Sequence, residues 1–450
     1  MAKRLLLVNP GNRENITMGI AGISFPPPAL AYIAALTPPD WDMKIVDENI
    51  EPITFDDADL VGITTTTSNA PRAYEVSEQY RRKGIKTVIG GIHASMLCDE
   101  AAQFVDSVVI GEAESVWPNL VRDFERNELR KFYRGERSSL ENLPKPRNDL
   151  CSDKYTIKAS VQTARGCPMD CEFCSVTAFH GRTYRQRPVA EVLDELEALN
   201  CREFFFSDDN LTSHGEKAEQ RAIQLFRGMV ERGLNKRWAS QVGIDFARNP
   251  EVLKSAREAG CLAVSIGFES VNEETLVEMR KVRNLKVGPE KYKEVIKKIQ
   301  EHGMRVLGAF VLGGDGDRKD VFQKTAEFIL DSKLDVHQVT LLTPLPGTSL
   351  YRRLEQEGRL LRTNYPDDWI HYDMGEAVFR PKHMTPDELE EGVYQVYKHT
   401  TSRATSLKRA FNTFVQTRNL LVTAFAYSTN RGYNSIAKRK YQYVKNAAPP

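Results

Sequence analysis

Short apolar runs alternate with amphipathic helical stretches along most of this chain, and that alternation constrains the fold more than any other feature. In the first 130 residues the apolar runs are Arg4–Asn9, Met43–Asp47, Leu60–Thr64, Thr87–Ile89 and Ser107–Ile110. Helical patterning falls between them, at Pro28–Leu36, Pro71–Lys83, Met96–Phe104 and Ala113–Glu125. Strands separated by helices are joined by crossovers, so they lie parallel and are covered on both faces. Five of them predict an α/β, flavodoxin-like (Rossmann-type) doubly wound domain over residues 1–130. Ligands of such domains sit beyond the carboxyl ends of the strands, where Asn9–Pro10–Gly11, Thr64–Thr67 and Gly90–His93 fall.

Residues 131–157 are polar, carry Pro144 and Pro146, and read as a linker. Alternation then resumes, with strands expected at Ala159–Thr163, Glu203–Ser207, Trp238–Val242, Ala263–Phe268, Arg305–Leu312 and Gln338–Leu342. Six strand–helix units predict a partial or closed parallel (β/α)6 barrel over residues 158–357, with its site at the strands' C-terminal ends. Residues 358–450 lack the alternation and read as a mainly helical region.

A chain of 450 residues with 41% hydrophobic and 27% charged side chains excludes a largely disordered or fibrous protein. It contains no apolar run long enough to span a membrane, and its N-terminus reads as a first strand rather than a signal peptide. Seven cysteines without a secretion signal argue for reduced thiols, hence a cytoplasmic location. The net charge of +1 points to no nucleic-acid partner, but its distribution is uneven: ten Lys or Arg and no Asp or Glu follow Glu391.

The run Cys167-Pro-Met-Asp-Cys171-Glu-Phe-Cys174 leaves the first expected barrel strand. Three thiolates on a strand-to-helix loop suit zinc, copper or an iron–sulfur cluster. Structural zinc takes four protein ligands, and His180 is the nearest additional candidate. Three ligands on a four-iron cluster leave one iron open.

With Phe173 before its third cysteine, this run resembles the radical S-adenosylmethionine (SAM) enzymes. The resemblance implies a 4Fe–4S cluster on Cys167, Cys171 and Cys174 whose open iron chelates SAM, and cleavage of SAM to a 5′-deoxyadenosyl radical. It further implies SAM contacts from Phe173, from Asp208, Asp209 and Asn210 (where many members have Gly-Gly-Glu), from Glu269 and Ser270, and from Gly313. Thr343–Tyr351 is similar to the family's sixth-strand exit. The N-terminal region resembles the cobalamin-binding domain that precedes many such barrels, on the strength of Thr64-Thr65-Thr66 and Gly90-Gly91-Ile92-His93. That likeness implies cobalamin contacts from Asn9, Gly11, Thr64, Thr65, Thr66, Gly90, Gly91 and His93. The Asp-x-His-x-x-Gly signature of a cobalt-ligating histidine is absent, so the loop Asn9–Arg13 would approach the lower cobalt face. Methylthiotransferases, a rival subgroup, carry three further N-terminal cysteines; residues 1–150 here hold only Cys98.

Val46–Ile50, Ser207–Asn210 and the segment from His383 to Leu389 are similar to the hopanoid methylase branch. The likeness implies a cobalamin-dependent methyltransferase acting on an unactivated carbon of a hydrophobic or lipid-like small molecule, with methyl carried on cobalamin. A radical SAM enzyme without methyl transfer, such as a cyclase, is the alternative. An electron donor of the flavodoxin or ferredoxin kind is implied as partner. In the basic tail, Leu407, Phe411, Phe414, Leu421, Val422 and Phe425 recur at helical spacing. That pattern reads either as a helix lying on an anionic membrane or as one packed on the barrel with its basic face in water.

Overall fold

The computed structural model describes residues 2–12, 24–212, 215–418 and 420–447. Its N-terminal sheet is parallel, in the order β2-β1-β3-β4-β5-β6. The strands are β1 (Arg4–Asn9), β2 (Asp42–Asp47), β3 (Leu60–Thr64), β4 (Lys86–Gly90), β5 (Ser107–Ile110) and β6 (Phe132–Arg134). Side chains alternate between faces of a strand, and in β1 both faces are apolar. Leu6 and Val8 enter the core shared with the Ala70–Arg82 helix, while Leu5 and Leu7 enter the core under the Pro28–Leu36 and Trp117–Glu125 helices. A strand buried on both faces reads as a continuous apolar run, which is why period-two patterning is absent here.

The sixth strand lies inside the segment expected to be linker. Phe132 pairs with Val108, and the chain then crosses so close to the β5 exit that a Cβ on Gly135 would lie 1.7 Å from the Glu112 carbonyl oxygen. Three residues carry too short a pattern to announce a strand.

The second sheet is an open, parallel six-stranded array in the order β14-β13-β12-β11-β10-β7. Its members are β7 (Ser160–Val161), β10 (Glu203–Phe206), β11 (Arg237–Val242), β12 (Cys261–Glu269), β13 (Arg305–Leu312) and β14 (Val336–Leu341). A small antiparallel pair, β8 (Ala164–Arg165) and β9 (Arg185–Gln186), brackets the cysteine segment. The register between β12 and β13 shifts between Gly267 and Glu269, and Glu269 leaves the strand with φ +62°.

The C-terminal region forms the helices Pro386–Thr400, Arg403–Thr417 and Leu420–Ala447. The first opens with a reciprocal cap: Thr385 Oγ1 accepts from the Glu388 amide, and the Glu388 carboxylate accepts from the Thr385 amide. It covers the edge strand β14, which would otherwise expose unpaired backbone groups. The Tyr397 hydroxyl accepts from the Val339 amide at 2.7 Å and donates to its carbonyl at 2.9 Å.

The basic tail is therefore not uniformly solvated. Arg409 is buried and donates to Asn430 Oδ1 (2.9 Å), and Lys440 is buried between Asp373 (2.9 Å) and Glu376 (3.1 Å). The expected apolar stripe divides as well. Leu407 and Phe411 are exposed and Phe414 and Val422 half-buried, while the side chains of Leu421 and Phe425 lie outside the described residues. No helix among the described residues is long and apolar enough to cross a membrane.

Candidate active site

Two cavities meet at the C-terminal ends of the two sheets. The first, about 370 Å3, runs down one flank of the N-terminal sheet past Leu7, Gly62, Val88, Val109 and Trp117 and is apolar at depth. Its mouth is formed by Thr64, Thr65, Thr66, Gly90 and Gly91, and the barrel closes it with Gln162, Arg165, Val176, Phe179, His180 and Asp209. Gly91 has φ +100°, and a Cβ there would lie 2.5 Å from the Thr65 carbonyl oxygen, so only glycine lets these two loops meet. Thr65 Oγ1 donates to the Gly90 carbonyl at 2.9 Å and locks the pair. Gly62 keeps the slot open: a Cβ would press on Leu7 at 2.8 Å. A narrow apolar slot behind hydroxyls and bare backbone fits the flat base and polar chain of a nucleotide tail. Gly62 was not singled out in the sequence, because a glycine inside an apolar run carries no separate signal.

Three of the expected cobalamin contacts lie elsewhere. Asn9 and Gly11 line neither cavity. The Gly11 amide donates to Glu48 (3.0 Å), which is held in turn by Arg72, so the β1 exit is tied toward β2. Arg13 lies outside the described residues. His93 is buried between Thr67 Oγ1 (3.4 Å) and Glu100 Oε1 (3.2 Å), edge-on to Trp369. Its ring joins a packed polar node rather than the tail slot.

The second cavity, about 300 Å3, lies over the barrel strands. Cys167, Cys171, Phe173, Cys174, Asp209, Asn210 and Glu269 line it, as does Lys281, a residue without a motif of its own. The three thiols form no disulfide, and burial raises Cys167 and pushes Cys171 up to about 11. Among the described residues no three His, Cys, Asp or Glu side chains converge as a single metal ion requires. His180 Nδ1 is hydrogen-bonded to Glu112 at 3.1 Å, and its side chain lines the first cavity rather than the thiol-lined one. A multi-iron cluster spreads its irons apart, so thiols ranged around a cavity suit it.

Lys281 donates to Glu269 at 2.8 Å. Burial alone would lower the lysine's pKa, but the Glu269 carboxylate and the Cys171 thiol outweigh it and push it up. The strained backbone at Glu269 and this buried ion pair place one fixed cation and one fixed anion beside the thiols. Such a pair suits a zwitterionic amino-acid ligand.

The residues Asp208-Asp209-Asn210 divide their work. Asp208 is fully buried and accepts from the Thr163 amide (2.6 Å), the Thr163 hydroxyl (2.5 Å) and the Ala164 amide (3.2 Å). Burial lifts its carboxyl to about 6 against those bonds. It staples β10 to the β7 exit and does not line the cavity, contrary to its expected role at SAM. Asp209 accepts from the Gly166 amide at 3.0 Å and faces both cavities. Asn210 accepts from the Gly243 amide at 3.0 Å at the β11 exit. Ser270 and Gly313 also miss the cavity. Ser270 is buried and accepts from the Asn272 amide, while Gly313 faces Leu389 and Phe379 of the C-terminal region.

A polar latch joins the two halves. Glu112, at the β5 exit, receives His180, Arg165 and Arg185, and Arg165 also reaches Glu114. Burial opposes ionisation of Glu112, but the bonds from His180 and Arg185 and the charge of Arg165 bring its pKa down to about 2. A further network holds the cysteine loop from outside. Arg353 makes a two-point contact with Glu172 (2.7 and 3.1 Å) and also pairs with Asp315 and Glu278.

Residues 161–329 match the model of the radical SAM superfamily, and residues 16–121 that of the B12 binding domain. The bacteriochlorophyllide d C-12(1)-methyltransferase of Chlorobaculum tepidum is 30% identical, over 90% of this chain and 89% of the relative. The hopanoid C-2 methylase of Rhodopseudomonas palustris is 27% identical, over 75% of this chain and 65% of that one. The solved structure of the radical SAM methyltransferase TsrM from Kitasatospora setae, with cobalamin and 4Fe–4S cluster bound, superposes with a TM-score of 0.69. That match covers 99% of this chain and 100% of TsrM at 15% identity, and speaks for the fold alone. A methyltransferase relative aligned along nearly the whole chain, and two family models matched in this order, show that the chain belongs to the cobalamin-binding radical SAM methyltransferases, with a 4Fe–4S cluster, SAM and cobalamin as cofactors.

Proposed function

We propose that the protein methylates an unactivated carbon of a hydrophobic cyclic small molecule. The observation that carries this reading is the adjacency of the two cavities, which share a wall. Val176 and Asp209 line both, and Val176 stands two residues after Cys174. In this reading Cys167, Cys171 and Cys174 hold the cluster, and Asn210, Glu269 and Lys281 orient SAM. Thr64–Thr66, Gly62, Gly90 and Gly91 hold the cobalamin tail. When bound, these groups would supply radical hydrogen removal and a methyl carrier on the two sides of that shared wall. The chain's own part is to keep the two sides aligned and dry. Asp209 is fixed by the Gly166 amide between the two cavities, and the Glu112 latch prevents the sheets from separating at the same point. An external one-electron donor of the flavodoxin or ferredoxin kind completes the requirement.

The hydrophobic acceptor is supported by the relatives, whose names specify a bacteriochlorophyllide and a hopanoid. It also agrees with an exposed row on the Arg403–Thr417 helix. There Leu407, Phe411 and Val415 follow one another at four-residue spacing, with Arg403 and Arg418 exposed at the two ends. An apolar row between cations is suited to lie on an anionic membrane, where such substrates partition.

The test is anaerobic reconstitution with a low-potential reductant, SAM, cobalamin and bacteriochlorophyllide d. S-adenosylhomocysteine and 5′-deoxyadenosine together, with a product heavier by one methylene, are expected. The nucleoside alone would replace methyl transfer by another radical reaction, and neither product would end the catalytic reading.

A further inference from the structure

Besides the two cofactor cavities, a third chamber of about 280 Å3 opens where the N-terminal sheet, the barrel and the C-terminal region meet. Thr66 and Ile92 line both this chamber and the first cavity. Ser175, between the cluster residue Cys174 and the shared wall residue Val176, reaches it from the barrel. Leu345 enters from the β14 exit, and Tyr372 and Met374 form the remaining wall. The exposed lining is mostly apolar, although Thr67, Ser68, His93 and Asp373 also border it; the chamber adjoins the tail slot through Thr66 and Ile92 and the cysteine loop through Ser175.

Met374 marks the rim. The residue is 42% exposed and its backbone is left-handed, with φ +67°. A non-glycine residue in that conformation costs about 1–3 kcal/mol and persists only where its surroundings hold it. Here they do. The Leu341 amide donates to the Met374 carbonyl at 2.9 Å. Next to it, Asp373 accepts from the buried Lys440 and from the Gly375 amide, both at 2.9 Å. The Tyr372 hydroxyl donates to the Arg362 carbonyl at 2.7 Å, and its ring lies 4.9 Å from Trp369. The last helix thus uses a buried lysine to set a strained loop, and that loop presents a methionine to an apolar opening. Methionine suits such a place because its unbranched, polarisable chain adapts to ring surfaces.

We infer that this chamber receives an apolar ring edge or alkyl arm of the methyl acceptor and that Met374 and Leu345 select it. The inference rests on the methyl-transfer reading above. A volume of about 280 Å3 lies just under the range of pockets that enclose a whole drug-sized ligand, about 300–1,000 Å3. A large cyclic acceptor would therefore insert one edge, with the rest outside the rim that Met374 forms.

Fluorescence titration of the holoenzyme with bacteriochlorophyllide d tests this. Met374→Asp puts a charge at the apolar mouth and Leu345→Trp fills the chamber. Each is expected to raise the apparent Kd at least about tenfold, since a bound ring would have to cover the new carboxylate at the rim, and a filled chamber leaves it no space. Iron content and the absorbance of bound cobalamin, expected to stay at wild-type levels, show that each variant folds. Unchanged affinity in both variants would overturn the inference, as would failure of the wild-type protein to bind the probe. Loss of cobalamin in either variant would assign the chamber to the corrin and overturn it too. If the probe binds and the variants weaken it, yet no S-adenosylhomocysteine forms, the chamber stands and the methyl-transfer reading falls.

Discussion

The two cofactor cavities are built in opposite ways. The N-terminal one is made by what is missing: Gly62, Gly90 and Gly91 withhold side chains so that backbone and hydroxyls can approach a long ligand. The barrel cavity is made by what is present: three thiols, Asp209 and the Glu269–Lys281 pair supply ligands and charge. A site that must admit bulk is sensitive to added atoms, whereas a site that must hold charge is sensitive to removed ones. Substitutions on the two sides should therefore fail in different currents of chemistry, and each should leave the other side loaded.

The largest effect is expected at the thiols. Cys171→Ala should abolish the cluster's visible absorbance and all SAM cleavage while cobalamin is still retained. Full activity in that variant would break the comparison at its root. Next comes Gly91. Gly91→Ala forces a Cβ to 2.5 Å from Thr65 in a left-handed backbone, at a strain of about 1–3 kcal/mol, and should lose cobalamin while iron content stays normal. Gly90→Ala meets nothing closer than 3.6 Å and should fold normally with only weakened retention. Equal behaviour of the two glycines, read by cobalamin content after gel filtration, would refute the close-approach argument.

Lys281 sharpens the other side. Removing one member of a buried ion pair costs about 3–5 kcal/mol, because its partner's charge is stranded. Lys281→Met should weaken SAM binding and lower the melting temperature, and adding Glu269→Gln should recover part of the stability but not the binding. Recovery of both would make the pair structural only. The latch between the cavities responds to acid. The Glu112 carboxyl falls from its usual 4.5 to about 2 in the folded protein. A group whose folded pKa is depressed stabilises fully above the unfolded value and loses that contribution as pH falls through the folded one. Glu112→Gln should therefore flatten the stability profile between about pH 4.5 and 2, measured by thermal unfolding across that window. The smallest effect concerns the exposed row. Each basic residue near an anionic membrane contributes about 1 kcal/mol at low salt. Phe411→Ser with Leu407→Ser should reduce sedimentation with anionic vesicles, and binding equal to that on neutral vesicles would exclude the membrane surface.

Much of this architecture is legible in the sequence. The strand–helix alternation located every strand of both parallel sheets except β6, and the cysteine spacing and the threonine and glycine loops pointed to residues that line the two cavities. What was misread is of one kind. Asp208 is adjacent to Asp209, yet it turns inward to Thr163 while its neighbour faces the cavities. His93 follows the glycine pair but packs against Glu100 and Trp369, the latter contributed by a segment 276 residues further along the chain. Lys440, counted with a solvated basic tail, is buried between two carboxylates.

The sequence by itself determined the periodicities, the turn chemistry and the inventory of ligand-bearing residues, because these are local properties carried by neighbours three or four positions apart. Only the tertiary structure decided which charges meet. Lys281 finds Glu269 because the chain returns past the β12 exit, and Arg353 finds Glu172 across 181 residues. A charged side chain buried at such a meeting point must take whatever partner the fold brings to it, and no local pattern in the chain encodes that partner.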